Sequence, residues 1–325
     1  MDKKYAAILG NLGNTKDRFC GGYKDNPSSL EMLKRAGKLE GISGIELVGT
    51  WDIRPDNAKE MKTALDGLGL ACVSIIPDLF ADKLWRNGSL SAKAPAVRGK
   101  AMDYMRVMCS IAEDMECRIV NLWPGQDGYD YLFQGDYLNE RKWLVENIAA
   151  IAAEFPKLKF ALEYKAKEPR THSYLARMAD TLLVCLQTGR DNVGVTIDTG
   201  HSFLGGENVA EAVVLAKQAG DKLFHMHFND NYRAWDDDMI VGSVHTLDYL
   251  ELFYWLDECG YDGWLSMDQY PYREDAVGAI QESVNWVKYF DQAQRSNHER
   301  LKAAVAAGDA VKTSALMRSI LQGQA

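Results

Sequence analysis

Several features common in other protein classes are missing from this sequence, and each absence removes a class of function. The six cysteines (Cys20, Cys72, Cys109, Cys117, Cys185 and Cys259) include no CxxC pair, which speaks against zinc knuckles and dithiol redox motifs. Four of them lie in apolar runs, where a reduced thiol behaves as a small hydrophobe. There is no basic surplus: the net charge is −9, whereas nucleic-acid binders carry a basic footprint. No nucleic-acid partner is expected. No apolar run approaches the roughly 20 residues that cross a bilayer, and MDKKYAAILGNLGN turns polar too early for a secretory signal. The expectation is a reduced, cytoplasmic protein with no membrane partner. Nor does a GxGxxG follow the first apolar run. GNLGN lacks the spacing and the acidic partner of a dinucleotide-binding fingerprint.

What is present is alternation. Over 325 residues, 47% hydrophobic and 26% charged, the composition is that of an ordinary globular chain. Eight punctuated apolar runs read as strands: Tyr5–Asn11, Gly44–Gly49, Ala71–Pro77, Cys117–Pro124, Lys159–Lys165, Val193–Thr199, Lys222–Asp230 and Gly263–Tyr270. Segments of helical periodicity separate them, such as Ala58–Leu68, Ala101–Glu116, Val209–Ala219 and Leu247–Cys259. Strict β/α alternation implies right-handed parallel crossovers, and eight repeats favour a (β/α)₈ TIM barrel over an open sheet. The barrel is expected over residues 1–275. Beyond it, 276–325 reads as one long helical extension, which either packs on its own barrel or embraces a neighbouring subunit.

The polar residues inside the strands gather at their C-terminal ends, the face on which barrel enzymes build their sites. In KFALEYKAKEPR, Glu163 and Lys165 share one face and Leu162 and Tyr164 the other. That pair alone could be a buried structural ion pair. In VGVTIDTGHSF, Asp198 ends a strand and His201 follows in the turn; Asp198 could equally cap the next helix. In KLFHMHFNDNYRAWDDDMIVGS, His225, His227 and Asn229 share a face. His225, deeper in the strand, fits a hydrogen-bonded core histidine, and His227 is the better ligand. Asp236 and Asp238 alternate, so both can face one ion while Asp237 faces away. GWLSMDQY places Asp268 inward near its end.

Together these strand ends bring five carboxylates (Glu163, Asp198, Asp236, Asp238, Asp268) and two imidazoles to one place. Five unpaired negative charges in one cavity repel, and several would have to take up protons. Two divalent cations supply +4 and Lys165 +1, which balances −5. An oxygen-rich set with some imidazole and no thiolate suits Mg²⁺, Mn²⁺ or Co²⁺.

At these strings the chain resembles the xylose isomerase family and its rhamnose isomerase relatives, from about the third strand to the eighth. FALEYKAKEPR is similar to the family's fifth-strand segment, LWPGQDG to its fourth-strand WPG segment, and IIPDLFADKLWRNGSLS to its third-strand loop. FHMHFND through DDDMIVG and GYDGWLSMDQYPYRED are similar to the seventh and eighth. The resemblance implies a metal-dependent aldose–ketose isomerase that moves a hydride between neighbouring carbons of a small unphosphorylated sugar. It implies Glu163, Asp198, His227 and Asp268 on one metal, with Asp198 bridging to a second metal held by His201, Asp236 and Asp238. Lys165 would meet the carbonyl oxygen, and Trp123 and Phe80 would wall the site. His201 and Asp52 would also face the sugar, and a homodimer or homotetramer is expected. Three departures stand out: Asp198 replaces a Glu, His227 replaces an Asp, and Gly49 lies where a ring-opening histidine is expected. The rival on the same barrel is a keto-sugar 3-epimerase with a carboxylate base.

Overall fold

The computed structural model describes residues 3–17, 19–168 and 170–323. Eight parallel strands close into a barrel: β1 (Lys4–Ile8), β2 (Ile42–Val48), β3 (Ala71–Ile76), β4 (Ile119–Leu122), β5 (Lys159–Glu163), β6 (Val193–Asp198), β7 (Leu223–Phe228) and β8 (Trp264–Met267). Each strand pairs with its sequence neighbours, and β1 pairs with β8 to close the ring. The expected (β/α)₈ architecture is therefore present. Most strands stop short of the expected ends: Asn11, Lys165, Asn229 and Tyr270 lie beyond the ladder. At that end of the barrel Asn11 and Asn229 donate to Asp268 and Asp198, and Lys165 and Tyr270 line a cavity.

Helices α1 (Ser29–Ala36), α2 (Ala58–Leu68), α3 (Pro95–Asp114), α4 (Tyr137–Glu154), α5 (Met178–Gln187), α6 (Val209–Gln218) and α7 (Thr246–Glu258) follow the first seven strands. Local chemistry sets their ends. Ser28 and Glu31 form a reciprocal capping box on α1. Pro95 opens α3 at a position whose N–H would have no partner anyway, so α3 begins earlier than its apolar periodicity indicates. Asn208 caps α6.

The sequence after β8 forms three helices rather than one. Helix α8 (Ala276–Ser296) buries Ile280, Val284, Val287 and Phe290 in the barrel's main core and completes the eighth β/α unit. Helices α9 (His298–Ala307) and α10 (Ala310–Leu321) follow, broken at Gly308, whose φ of +60° is a left-handed conformation that favours glycine. Leu301 and Ile320 pack with Leu250 and Tyr254 of α7, so this hairpin folds back on its own barrel. No helix among the described residues is long and apolar enough to cross a membrane.

Candidate metal centre and active site

Loops at the C-terminal end of the barrel are cross-braced before any chemistry is added. Asp127 accepts hydrogen bonds from the backbone and hydroxyls of Ser89 and Ser91, which ties the loop after β4 to that after β3. Gln126 donates to the Phe80 carbonyl at 3.0 Å. Arg170 is buried and joins Asp130 with the carbonyls of Gln126 and Arg86; Pro169, between it and Glu168, lies outside the described residues. In the loop after β7, reciprocal backbone bonds between Asp230 and Met239 (3.0 and 2.8 Å) close the base of the turn that carries Asp236 and Asp238.

The braced loops surround a cavity of about 280 Å³ lined by Trp123, Phe80, Lys165, His201, Asp236 and Asp268, among others. Glu163 and Asp238 also face it, as do Glu168, Lys16, Tyr270 and Tyr272, which the sequence did not flag. The rings of Phe80 and Trp123 lie 4.6 Å apart, and Lys165 Nζ sits 5.2 Å from the Trp123 ring. This is a wall of apolar surface against a cluster of charge.

Glu163, Asp198, His227 and Asp268 offer ligand atoms that all lie within 4.8 Å of one another. His227 Nδ1 is 3.4 Å from Glu163 Oε1 and 3.1 Å from Asp268 Oδ2. Asp198 does both things its sequence allowed. Its Oδ1 caps the short helix Thr199–Leu204 by accepting from His201 N at 2.8 Å, and its Oδ2 accepts from Asn229 Nδ2 at 2.9 Å. An ionised carboxylate has lone pairs left for a further partner. A side chain at Gly200 would collide with Asn229 Oδ1, so glycine there lets the Asn229 amide reach Asp198.

The second expected ligand set sits beside the first but is less closely drawn together. His201 Nε2 and Lys165 Nζ meet the same Asp236 oxygen, at 3.1 and 2.6 Å, and His201 Nδ1 is 3.3 Å from Glu163. His201, Asp236 and Asp238 are not among the groups of three that come within 4.8 Å among the described residues. Asp237 turns away and accepts from the Tyr232 backbone.

The protonation balance shows the strain of this charge cluster. Burial pushes Asp198 up to about 7, with repulsion from Asp268, Asp236 and Glu163 adding to it. Burial and Asp236 raise Asp238 well above the usual carboxylate range. Burial lowers His201, but Asp198 and Asp236 outweigh it and lift the imidazole to about 9. Burial likewise raises Glu163, yet His227 and His201 hold it at about 2. The carboxylates thus favour the protonated forms of His201 and Lys165. Three buried atoms aimed into the cluster, His201 Nδ1, His227 Nδ1 and Asp236 Oδ1, have no hydrogen-bond partner. Buried imidazole nitrogens and a carboxylate oxygen left without partners beside surplus negative charge are what a divalent cation satisfies, displacing protons from the imidazoles, so the residues fit such an ion.

Two expected positions lie elsewhere. Asp52 is buried on a neighbouring cavity of about 450 Å³, with Asn11, Thr15 and Lys16, and accepts from Val48 N at 3.0 Å. It does not line the cavity of the metal cluster. A side chain at Gly49 would meet Tyr104 and Met108 of α3, the latter at 2.7 Å. Position 49 faces the helix layer, so a histidine there could not reach the cavity. The sequence reading also missed residues that hold the ligands. Asn121 donates to Glu163 at 2.6 Å, Asn11 to Asp268 at 3.3 Å, and Glu46 lies under both histidines of β7.

A closed parallel barrel with, at its C-terminal mouth, a carboxylate–imidazole cluster spaced so that it could hold a metal ion defines the class of this protein. Within it, the chain belongs to the xylose isomerase-like TIM barrel family, whose model matches residues 33–290. It is 28% identical over 285 residues to the xylose isomerase of Thermus thermophilus, covering 83% of this chain and 73% of that enzyme. The xylose isomerase of Thermus caldophilus matches at the same level. Among solved structures, L-ribulose 3-epimerase superposes with a TM-score of 0.72 at 16% identity, covering 92% of this chain and 98% of that one. D-psicose 3-epimerase from Clostridium cellulolyticum H10 gives 0.69 at 16%, covering 89% and 99%. At such identity the two structures speak to the fold alone.

Proposed function

We propose that the chain is a divalent-metal-dependent aldose–ketose isomerase acting on a small unphosphorylated sugar. One observation carries the reading: Lys165, more than nine-tenths buried, is held at the cavity by Asp236 and Glu168, next to a four-ligand cluster. Glu163, Asp198, His227 and Asp268 would hold one ion, with His201, Asp236 and Asp238 beside them for a second. Bound there, Mn²⁺, Mg²⁺ or Co²⁺ would chelate sugar hydroxyls and polarise the C1–C2 unit.

The remaining work falls to the chain. Lys165 keeps its proton because Asp236, Glu168 and Asp238 outweigh the cost of burial, and donates it as a hydrogen bond to the sugar's carbonyl oxygen. Negative charge that grows on that oxygen meets a fixed cation in a place poor in water. Trp123 and Phe80 shield the face from solvent, which strengthens the charge stabilisation there; a hydride passing directly between carbons does not exchange with water. Asp268 stands across from Glu163, where a second glutamate would serve a proton-transferring pair.

The 3-epimerase reading has one observation in its favour: of the two expected ligand sets, only the first forms a compact group among the described residues, as a one-metal enzyme requires. Incubating the protein and Mn²⁺ with a panel of pentoses and deoxyhexoses separates the two. New ketose from aldose supports the isomerase. Interconversion of ketoses at C3 with no aldose turnover would replace it by the epimerase.

A further inference from the structure

Beneath the ligand cluster lies a carboxylate that the cluster does not use. Glu46 sits in mid-strand on β2 and is fully buried. Its Oε1 is 2.9 Å from His225 Nε2 and its Oε2 is 3.3 Å from His227 Nε2. Ser74 of β3 donates its hydroxyl to the same Oε2. The far edge of the His227 ring, Nδ1, looks the other way, into the cluster, and has no hydrogen-bond partner.

A neutral imidazole has one N–H and one lone pair, and its neighbours decide which nitrogen carries which. An ionised carboxylate only accepts. Placed against Nε2, it holds the proton there and leaves the lone pair on Nδ1. We infer that Glu46 is a positioning residue: it fixes the tautomer and ring plane of His227 so that Nδ1 is presented to the ion held with Glu163, Asp198 and Asp268. Ser74 and His225 in turn keep the Glu46 carboxylate in place, so the chain of support runs from β3 through β2 to the ligand on β7. Partners of this kind behind a metal-bound histidine set ligand orientation and affinity.

The same three residues, Glu46, His225 and His227, also come within 4.8 Å of one another, the spacing of a cation site. None of them is solvent-accessible, and Ser74 already donates into the shared oxygen. The group is closed by its own hydrogen bonds, which favours support over a site of its own.

The inference rests on the proposed function only in requiring a divalent ion at the cluster, and its test reads that ion directly. The full chain is stripped with chelator and titrated with Mn²⁺ by electron paramagnetic resonance. Glu46→Gln, which keeps the shape, should weaken the tighter site by about 10–100-fold. Ser74→Ala should weaken it less. Chemical unfolding in chelator should show Glu46→Gln as folded as the wild type. In the Mg²⁺-loaded wild type, nitrogen-15 spectra should show His227 protonated on Nε2 and bare on Nδ1.

Wild-type Mn²⁺ affinity in Glu46→Gln, or a proton on Nδ1, overturns the inference. So does a variant that loses a whole equivalent of Mn²⁺ while the cluster's affinity is unchanged, because Glu46 would then be a ligand. Absence of isomerase turnover alongside the expected affinity loss sinks only the functional reading. No Mn²⁺ binding by the wild type sinks both.

Discussion

Lys165 Nζ lies 2.6 Å from Asp236 Oδ2, and both side chains are more than nine-tenths buried. His201 Nε2 approaches the same oxygen at 3.1 Å, so one carboxylate anchors both the cation proposed to meet the substrate and a residue proposed to bind a metal. Lys165→Met deletes the cation and keeps much of the stem's packing. Turnover should fall by about 10²–10³-fold, the usual loss for one donor at a developing oxyanion. Mn²⁺ binding should survive, since all the expected ligands remain. Breaking a buried pair also costs about 3 kcal/mol, which chemical denaturation in the presence of chelator should register. Near-normal turnover in the variant would remove Lys165 from the chemistry.

Asp236→Asn and Asp238→Asn address the looser ligand set. If it holds a second ion that acts on the reacting carbons, these variants lose turnover while sugar binding at the first ion persists. The expected result is a kcat reduced at least about tenfold with KM changed by less than about threefold. Treatment of the wild type with chelator should abolish activity, and Mn²⁺, Co²⁺ or Mg²⁺ should restore it. Two variants with ordinary turnover would show that the acidic turn is merely solvated and that one metal suffices.

Much of the ligand set was legible because it combines a charge pattern with strand geometry. Glu163, Asp198, His227 and Asp268 each interrupt apolar alternation at a strand end, and the barrel brings strand ends together whatever their separation in sequence. Glu46 carried a similar signal, a charge inside IELV, but it lies in mid-strand, away from the ends that mark sites. Asn11 and Asn121 left no signal, and the placing of Asn229 on the face of His225 and His227 did not reveal its partner, since neutral amides occur everywhere and their partners are set by tertiary approach. Simple alternation from the inward Glu46 already turns position 49 towards the helices, so positional likeness to a family was a poor guide there. The C-terminal stretch keeps uniform helix-forming composition across its breaks, which hid the boundaries at Asn297 and Gly308.

Asp52 supplies a pH dependence separate from the ligands. Burial lifts its carboxyl from an ordinary 3.8 to about 7. The folded protein therefore holds a proton that the unfolded chain releases, and stability falls as pH rises between those values. The contribution is fully present below about pH 4 and lost by about pH 7. Asp52→Asn keeps an oxygen for the Val48 N–H and removes the titration. Its stability relative to the wild type should grow from near zero at pH 4 to a gain on the order of 4 kcal/mol at pH 8. Denaturation curves at the two pH values measure this. A pH-independent difference would mean that Asp52 is solvated in the folded state.

The route taken by hydrogen decides what the aromatic wall beside the cavity is for. A hydride that passes between C1 and C2 stays in the substrate, whereas a proton taken up by a carboxylate exchanges with water. Phe80 and Trp123 pack at 4.6 Å over the cavity, and the group opposite Glu163 is Asp268, one methylene shorter than a glutamate base. The expected outcome in D₂O is therefore little deuterium at C1 or C2 of the ketose after many turnovers. Trp123→Ala opens the wall; it should slow turnover while still incorporating little deuterium, because water reaching a hydride shift does not exchange the migrating atom. Deuterium appearing at C3 of a ketose in the wild type would assign the chemistry to a carboxylate base. Glu163 would then serve as both ligand and base, and Glu163→Gln should abolish that exchange.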